Sequence, residues 1–264
     1  MRLVVLDDEV EVGAAAAREV ASALQALTVG ARVLGVATGS SPAPLYRALT
    51  ELASNGSFSD LRVCALDEYL GVRADDPRSY HATIDREVVG PLGLDPANVM
   101  VPPGVPEDAD AAAVEYERSI EAVGGVDVQI VGVGVNGHLG FNEPGSSADS
   151  RTRVVELESS TIAANSRFFA SAAEVPTRAI TQGLATICSA RHIVAVITGE
   201  SKAQALRDMI VGEVSVDCPA SMLRTHPNAT VFADRAAAYD LARTPRELWD
   251  ESVVHALAAD EAMV

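Results

Sequence analysis

The sequence predicts an α/β fold in which a mostly parallel sheet is covered by helices on both faces. Short apolar runs rich in β-branched residues alternate along the chain with longer stretches of helical periodicity. Several of these runs have no polar face, which is typical of parallel strands buried on both sides. The length of 264 residues is compatible with a single domain spanning positions 1–264.

The spacing of apolar residues predicts the position of each strand and helix along the chain. Strands are predicted at Leu3–Leu6, Val33–Ala37, Val63–Leu66, Val126–Val133, Val154–Leu157, His192–Thr198 and Thr230–Ala233. Helices are predicted at Val10–Leu27, Pro42–Leu52, Ser79–Val89, Asp108–Val123 and Ser201–Val211. Because ligands of such sheets bind beyond the carboxyl ends of the strands, a functional site is expected in the segments that follow them.

The net charge and the hydropathy of the chain argue against several classes of binding partner. The formal net charge of −17 argues against nucleic acid or an anionic membrane surface, because both require a basic face. Apolar runs fall short of the roughly 20 residues that span a bilayer, and the first residues turn acidic too early for a signal peptide. A cytoplasmic protein is therefore expected. Lys202 is the only lysine among 20 basic residues, and its place near a helix start invites a chemical explanation.

The first junction of interest is ATGSSP, where the second predicted strand meets a helix. Thr38, Gly39, Ser40 and Ser41 supply small side chains, hydroxyls and free N–H groups at a helix start that favours an anion. The composition indicates a phosphate cradle. An ordinary helix-capping loop would have the same composition, so both interpretations stay open at this point.

The second junction, LDEYLG, places Asp67 and Glu68 at the end of the next strand. Adjacent strand residues point to opposite faces, so one of the two carboxylates at most can face a given ligand. We expect one to be functional and the other structural. A desolvated carboxylate in such a crevice can act as a base on a C–H proton, while a helix cap or a salt bridge is the structural alternative.

The segment GVGVNGHLGFNEPGSS, from Gly132 onwards, begins like the glycine fingerprint of dinucleotide-binding folds. That interpretation is rejected, because Pro144 and further glycines follow too soon for a helix to start at the last fingerprint glycine. What remains is a glycine-rich loop that presents Asn136, His138 and Glu143. An imidazole beside an amide and a carboxylate suits acid–base catalysis near neutral pH.

Two basic residues complete the candidate set. Arg167 lies in NSRFF, on a predicted helix, and Lys202 lies in GESKAQA, just after a predicted strand. Either side chain could bind a phosphate, Arg167 through a bidentate fork and Lys202 as a point charge. Each signal alone is weak.

Taken together, the strings ATGSSP, LDEYLG, SYH, GVGVNGHLGFNEPGSS, SRTRV, NSRFF and GESKAQA resemble the glucosamine-6-phosphate deaminase family over most of positions 33–226. The resemblance implies a modified doubly wound, Rossmann-like α/β fold and conversion of D-glucosamine 6-phosphate and water to D-fructose 6-phosphate and ammonia. It implies no cofactor and no metal. The implied partner is a small sugar phosphate, and a monomer and a homo-oligomer both remain open.

The resemblance also implies roles for the site residues. His138, partnered by Glu143 and Asn136, would open the sugar ring, and Asp67 would carry the C2 proton to C1. Thr38, Gly39, Ser40, Ser41, Arg167 and Lys202 match the phosphate-binding positions. Better-known bacterial members have Asp in place of Asn136, and a neutral amide leaves stabilisation of the imidazolium to Glu143.

Two alternatives belong to other functional classes. A 6-phosphogluconolactonase-like hydrolase would share the GxGxxGH segment, but it needs no C2 proton carrier, so LDEYLG and FNEP count against it. A non-catalytic sugar-phosphate sensor would need a DNA-binding module, for which the predicted first strand at Leu3 leaves no room. Intact Asp67, His138 and Glu143 also favour catalysis.

Overall fold

The computed structural model describes residues 1–27, 32–53 and 58–257. Its strands are β1 (Arg2–Leu6), β2 (Val33–Val36), β3 (Arg62–Ala65), β4 (Asp67–Tyr69), β5 (Val99–Met100), β6 (Val128–Gly132), β7 (Arg153–Glu156), β8 (Arg178–Thr181), β9 (His192–Ile197), β10 (Ala229–Asp234) and β11 (Val254–Leu257). Its α-helices are α1 (Glu9–Gln25), α2 (Ala43–Leu52), α3 (Tyr80–Ile84), α4 (Gly90–Leu92), α5 (Ala109–Ala122), α6 (Ser159–Asn165), α7 (Leu184–Cys188), α8 (Ala203–Val211) and α9 (Tyr239–Ala242).

The central sheet has eight strands in the order β11-β1-β10-β9-β6-β2-β3-β5, and its pairings are parallel. Side chains alternate between its two faces. Leu34 and Val36 pack with α1 and α2 on one face, whereas Val33 belongs to the core formed with α5 and α8 on the other. The predicted α/β class, a mostly parallel sheet with helices on both faces, is confirmed.

A second, three-stranded sheet has the order β4-β8-β7 and is antiparallel. The prediction that Val154–Leu157 forms a strand of the parallel sheet is therefore wrong. The strand forms, as β7, but it pairs with β8 and is only partly buried, whereas a central strand such as β2 is fully buried. A short apolar run contains no information on which of two sheets it will join.

The helix predicted at Ser79–Val89 is interrupted. Its α-helical part ends at Ile84, and the chain continues as a π-helix over Asp85–Val89 before the short α4. Pro91 has no N–H and its ring would collide with the carbonyl of an α-helix one turn earlier, so the wider turn accommodates it.

Short 3₁₀ turns occupy several loops, at Pro96–Asn98, Ser166–Phe168, Ala172–Glu174, Glu200–Lys202, Pro219–Thr225 and Arg246–Leu248. Arg167 and Lys202 thus lie in 3₁₀ turns next to α6 and α8 rather than inside those helices. Within the described part of the chain, every helix is too short or too polar to cross a membrane.

Candidate active site

A cavity of about 520 Å³ opens at the carboxyl edge of the central sheet. The segments that follow β2, β3, β6 and β9 form its walls, together with α6 and the turn after it. This is the edge at which parallel α/β sheets bind ligands. Most of the predicted site residues line it, namely Thr38, Gly39, Ser40, Ser41, Asp67, Asn136, His138, Arg167 and Lys202.

The carboxylates of Asp67 and Glu68 have separate environments. Asp67 is 6% exposed and lines the cavity, and burial, reinforced by the negative charge of Glu68, raises its pKa to about 8. Glu68 instead accepts hydrogen bonds from the backbone N–H groups of Tyr69 (2.9 Å), Tyr80 (3.0 Å) and His81 (2.8 Å). Glu68 therefore anchors the start of α3, and the division into one cavity-facing and one structural carboxylate agrees with strand alternation.

The loop after β6 carries the imidazole and its partners. His138 Nδ1 lies 3.2 Å from Glu143 Oε2, and Asn136 Nδ2 donates to the same oxygen at 2.8 Å. Asn136 Oδ1 accepts the backbone N–H of His138 at 3.3 Å. This arrangement favours the tautomer with the proton on Nδ1, leaving the Nε2 lone pair for a ligand.

Glu143 lies behind His138 rather than on the cavity wall. Burial opposes its ionisation, but the hydrogen bond and charge of His138, with hydrogen bonds from Thr161 and Asn136, outweigh burial and lower its pKa to about 2. Glu143 is therefore ionised across the neutral range and can stabilise an imidazolium at His138.

Two residues that support His138 and Glu143 were not predicted from the sequence. Thr161, on α6, donates a hydrogen bond to Glu143 Oε1, so each carboxylate oxygen has its own partners. Gly134 leaves room for the imidazole, since a Cβ there would lie 2.2 Å from His138 Nε2. Gly134 is thus required by the close approach of the His138 side chain rather than by a nucleotide phosphate.

A further part of the cavity lining is suited to an anion. The segment that leads from β2 into α2 contains Thr38, Gly39, Ser40 and Ser41. Pro44 lies in the first turn of α2. Half-buried Lys202 has its pKa lowered by burial and by the positive charge of Arg167. Two cations that repel one another beside a helix start provide the charge that a phosphate dianion would neutralise.

Aromatic side chains close one wall of the cavity. Tyr69 packs against Tyr80, Phe141 and Phe169 with ring centroids 4.7, 5.5 and 5.8 Å apart. Its hydroxyl accepts hydrogen bonds from the Tyr80 hydroxyl (3.1 Å) and from Asn165 Nδ2 (2.8 Å). This wall keeps the region around Asp67 desolvated, which is the main cause of the raised carboxyl pKa.

No group of three or more His, Cys, Asp and Glu side chains within the described ranges is arranged to hold a metal ion. The polar groups that converge on the cavity are a carboxylate and an imidazole, together with a hydroxyl-rich helix start and two cations. Such a combination suits a small phosphorylated molecule.

Comparison with known proteins agrees with this geometry. Residues 7–232 match the family described as glucosamine-6-phosphate isomerases/6-phosphogluconolactonase. The chain belongs to this family. A glucosamine-6-phosphate deaminase of Cutibacterium acnes is 50% identical over 254 residues, which are 96% of this chain and 97% of that protein. A glucosamine-6-phosphate deaminase of Bifidobacterium longum is 48% identical over 247 residues, covering 89% of this chain and 91% of the relative.

Solved structures show the same fold. A monomeric glucosamine-6-phosphate deaminase superposes with a TM-score of 0.87 at 39% identity, covering 91% of this chain and 100% of that one. The 6-phosphogluconolactonase of Trypanosoma cruzi superposes with a TM-score of 0.74 at 22% identity, covering 91% and 96% of the two chains. The latter likeness extends to the fold alone.

Proposed function

We propose that the protein converts D-glucosamine 6-phosphate and water to D-fructose 6-phosphate and ammonia. The observation that carries the proposal is the cavity itself, in which a desolvated carboxylate, Asp67, faces the same space as the His138 imidazole and the cation pair. Deaminases about half identical over nearly the whole chain support the choice of substrate. The reaction couples an aldose–ketose isomerisation to release of ammonia.

Binding of the substrate phosphate is assigned to the segment that leads from β2 into α2 and to the two cations near it. The phosphate would accept hydrogen bonds from Thr38, Ser40 and Ser41 and from the backbone around Gly39. Arg167 and Lys202 would supply the opposing charge. With the phosphate held there, the sugar would extend toward Asp67 and His138.

Ring opening is assigned to His138. The closed pyranose hides its aldehyde, so the O1 proton must leave and the ring oxygen must gain a proton as the C1–O5 bond breaks. His138 Nε2 can accept the first proton and return it to O5, while Glu143 holds the imidazole through Nδ1 and Asn136 donates a hydrogen bond to Glu143.

Isomerisation is assigned to Asp67. Its carboxylate would remove the proton from C2 of the open amino-aldose while O1 gains a proton from the substrate's own ammonium group, forming an enolamine, and the carboxyl group would then return its proton to C1. The product is a ketose-level imine. Water then adds to the imine carbon, ammonia leaves, and D-fructose 6-phosphate remains.

The proposal is tested by an ammonia-release assay with D-glucosamine 6-phosphate, D-galactosamine 6-phosphate and 6-phosphogluconolactone in parallel. We expect stoichiometric ammonia and D-fructose 6-phosphate from the first substrate. Hydrolysis of the lactone without ammonia release from either amino sugar would assign the protein to the lactonase branch of its family instead.

Removal of either cation is expected to weaken substrate binding. Lys202→Ala and Arg167→Ala should each lower kcat/KM about ten- to a hundredfold, because a charge-assisted hydrogen bond contributes about 1.5–3 kcal/mol. The loss should appear mainly in KM. Arg207→Ala is the matched control, since Arg207 pairs with Asp208 on α8 outside the cavity lining. Steady-state kinetics that are unchanged in both cavity variants would remove the phosphate assignment.

Activity is expected to rise with pH up to about 8. Asp67 must be ionised to act as a base, and with a pKa of about 8 only about one tenth of it is ionised at pH 7. Initial rates at low substrate should therefore increase as pH rises from 6 to 8 and then level off. Glu68→Gln removes the neighbouring charge that raises this pKa, so the inflection should move to lower pH. The substrate amine titrates identically in both proteins, and an inflection that stays in place would assign the profile to that amine.

A further inference from the structure

A buried carboxylate outside the cavity is connected to the loop that carries Lys202. Asp234, the last residue of β10, is 6% exposed and does not line the cavity. Its two oxygens lie 3.1 and 2.9 Å from the backbone nitrogen of Gly199, and one of them also accepts the Ala237 N–H at 2.7 Å. These distances make Asp234 the acceptor for the N–H of Gly199, three residues before Lys202.

Strand order explains why Asp234 reaches this loop. β9 and β10 are parallel neighbours, and Ile197 pairs with Ala233. Thr198, the first residue after β9, therefore lies beside Asp234, the last residue of β10. The loop after β9 passes directly over the Asp234 carboxylate before the 3₁₀ turn Glu200–Lys202 begins.

The backbone between Asp234 and Lys202 is tightly specified. Gly199 has a φ of 91°, which L side chains rarely adopt, and its carbonyl accepts the Lys202 N–H at 3.0 Å. The orientation of the Gly199 peptide thus sets the start of the turn that carries Lys202. On the cavity side, Thr198 Oγ1 lies 3.1 Å from Ser41 Oγ, which connects the same loop to the phosphate cradle.

We propose that Asp234 is a positioning residue, whose carboxylate orients the Gly199 peptide so that Lys202 faces the phosphate cradle. The proposal rests on the proposed function only in taking the ligand to be a hexose phosphate. Burial and repulsion by Arg167 both disfavour the ammonium group of Lys202 inside the cavity, so without an anion there the side chain is favoured to turn toward solvent. Fixing its backbone reduces the entropy lost when the phosphate binds.

A double-mutant cycle tests this proposal. Affinity for D-fructose 6-phosphate is measured by calorimetry in ammonia-free buffer, where the ligand binds without turnover, for the intact protein, Asp234→Asn, Lys202→Ala and the double variant. Asp234→Asn is nearly isosteric but places an amide where the Gly199 N–H needs an acceptor. If this variant does not fold, Asp234→Glu replaces it, because the longer side chain keeps the charge but displaces Gly199.

Asp127→Asn is the matched control. Asp127 is 8% exposed and accepts the backbone N–H of Val33 at 2.8 Å, but it lies just before β6, at the edge of the sheet opposite the cavity. It is therefore an equally buried backbone-bonding carboxylate without a connection to Lys202. Its replacement should leave the affinity for D-fructose 6-phosphate unchanged even if the melting temperature falls.

We expect Asp234→Asn to weaken D-fructose 6-phosphate binding about tenfold in the intact protein and less than about twofold when Lys202 is already alanine. In turnover it should raise KM while kcat stays within about twofold.

Equal losses in both backgrounds would overturn the proposal, because Asp234 would then act independently of Lys202. A protein that binds no hexose phosphate would overturn it as well. Failure to release ammonia with normal D-fructose 6-phosphate binding would contradict only the proposed function, and the cycle would still decide the role of Asp234.

Discussion

Asp67→Asn is expected to abolish both ammonia release from D-glucosamine 6-phosphate and exchange of its C2 proton with solvent. An amide cannot accept a proton from carbon at neutral pH, and loss of a positioned base costs about 10²–10⁴ in rate. The side chain keeps its size, so the cavity should keep its shape and KM should change little. Burial already favours the neutral carboxylic acid at this position, so a neutral amide should not destabilise the fold.

Exchange is measured by incubating the variant with substrate in deuterated water and following the C2 proton by NMR. Glu68→Gln is the control, because it alters the adjacent carboxylate while leaving Asp67 in the cavity. It should retain exchange even if α3 is less well anchored. Persistent C2 exchange in Asp67→Asn would show that another base removes the C2 proton.

His138→Gln is expected to lower turnover of the closed sugar by about 10²–10⁴, because ring opening loses its proton carrier. An open-chain analogue without the ring-closing hydroxyl bypasses that step. It should therefore be processed by the variant at a rate much closer to that of the intact protein. For each of the two substrates, the rate of the variant is divided by the rate of the intact protein, and the two ratios are compared.

Gly134→Ala is a second test of ring opening by His138, and it does not remove the imidazole. The added Cβ would lie 2.2 Å from His138 Nε2, so the imidazole must leave its present position. We expect the same selective loss with the closed sugar. Equal losses with closed and open-chain substrates in both variants would contradict the assignment of ring opening to His138.

Strand alternation allowed one part of the site to be predicted from local sequence. The pair Asp67 and Glu68 had to divide between two faces, and the structure places Asp67 on the cavity and Glu68 at the start of α3. Similarly, Asn136, His138 and Glu143 lie within a few residues on a glycine-rich loop, so their mutual contacts depend little on the rest of the fold.

Contacts between distant segments could not be predicted in this way. Thr161 reaches Glu143 only because α6 folds back over the loop after β6, and Tyr80 joins the cavity wall only because Glu68 anchors α3. The small antiparallel sheet was missed for the same reason. Its strands β4 and β7 lie far apart in the chain and each pairs with β8, a four-residue strand, Arg178–Thr181, in which only the two central residues are apolar.

The most direct test of the proposed chemistry follows the C2 hydrogen through one turnover. D-Glucosamine 6-phosphate carrying deuterium at C2 is converted by the intact protein in ordinary water, and the D-fructose 6-phosphate formed is analysed by NMR and mass spectrometry. If Asp67 carries the proton from C2 to C1, part of the deuterium should appear at C1 of the ketose, the remainder should be lost to solvent, and ammonia should equal ketose. Ammonia released without formation of a ketose would contradict the coupled isomerisation and deamination.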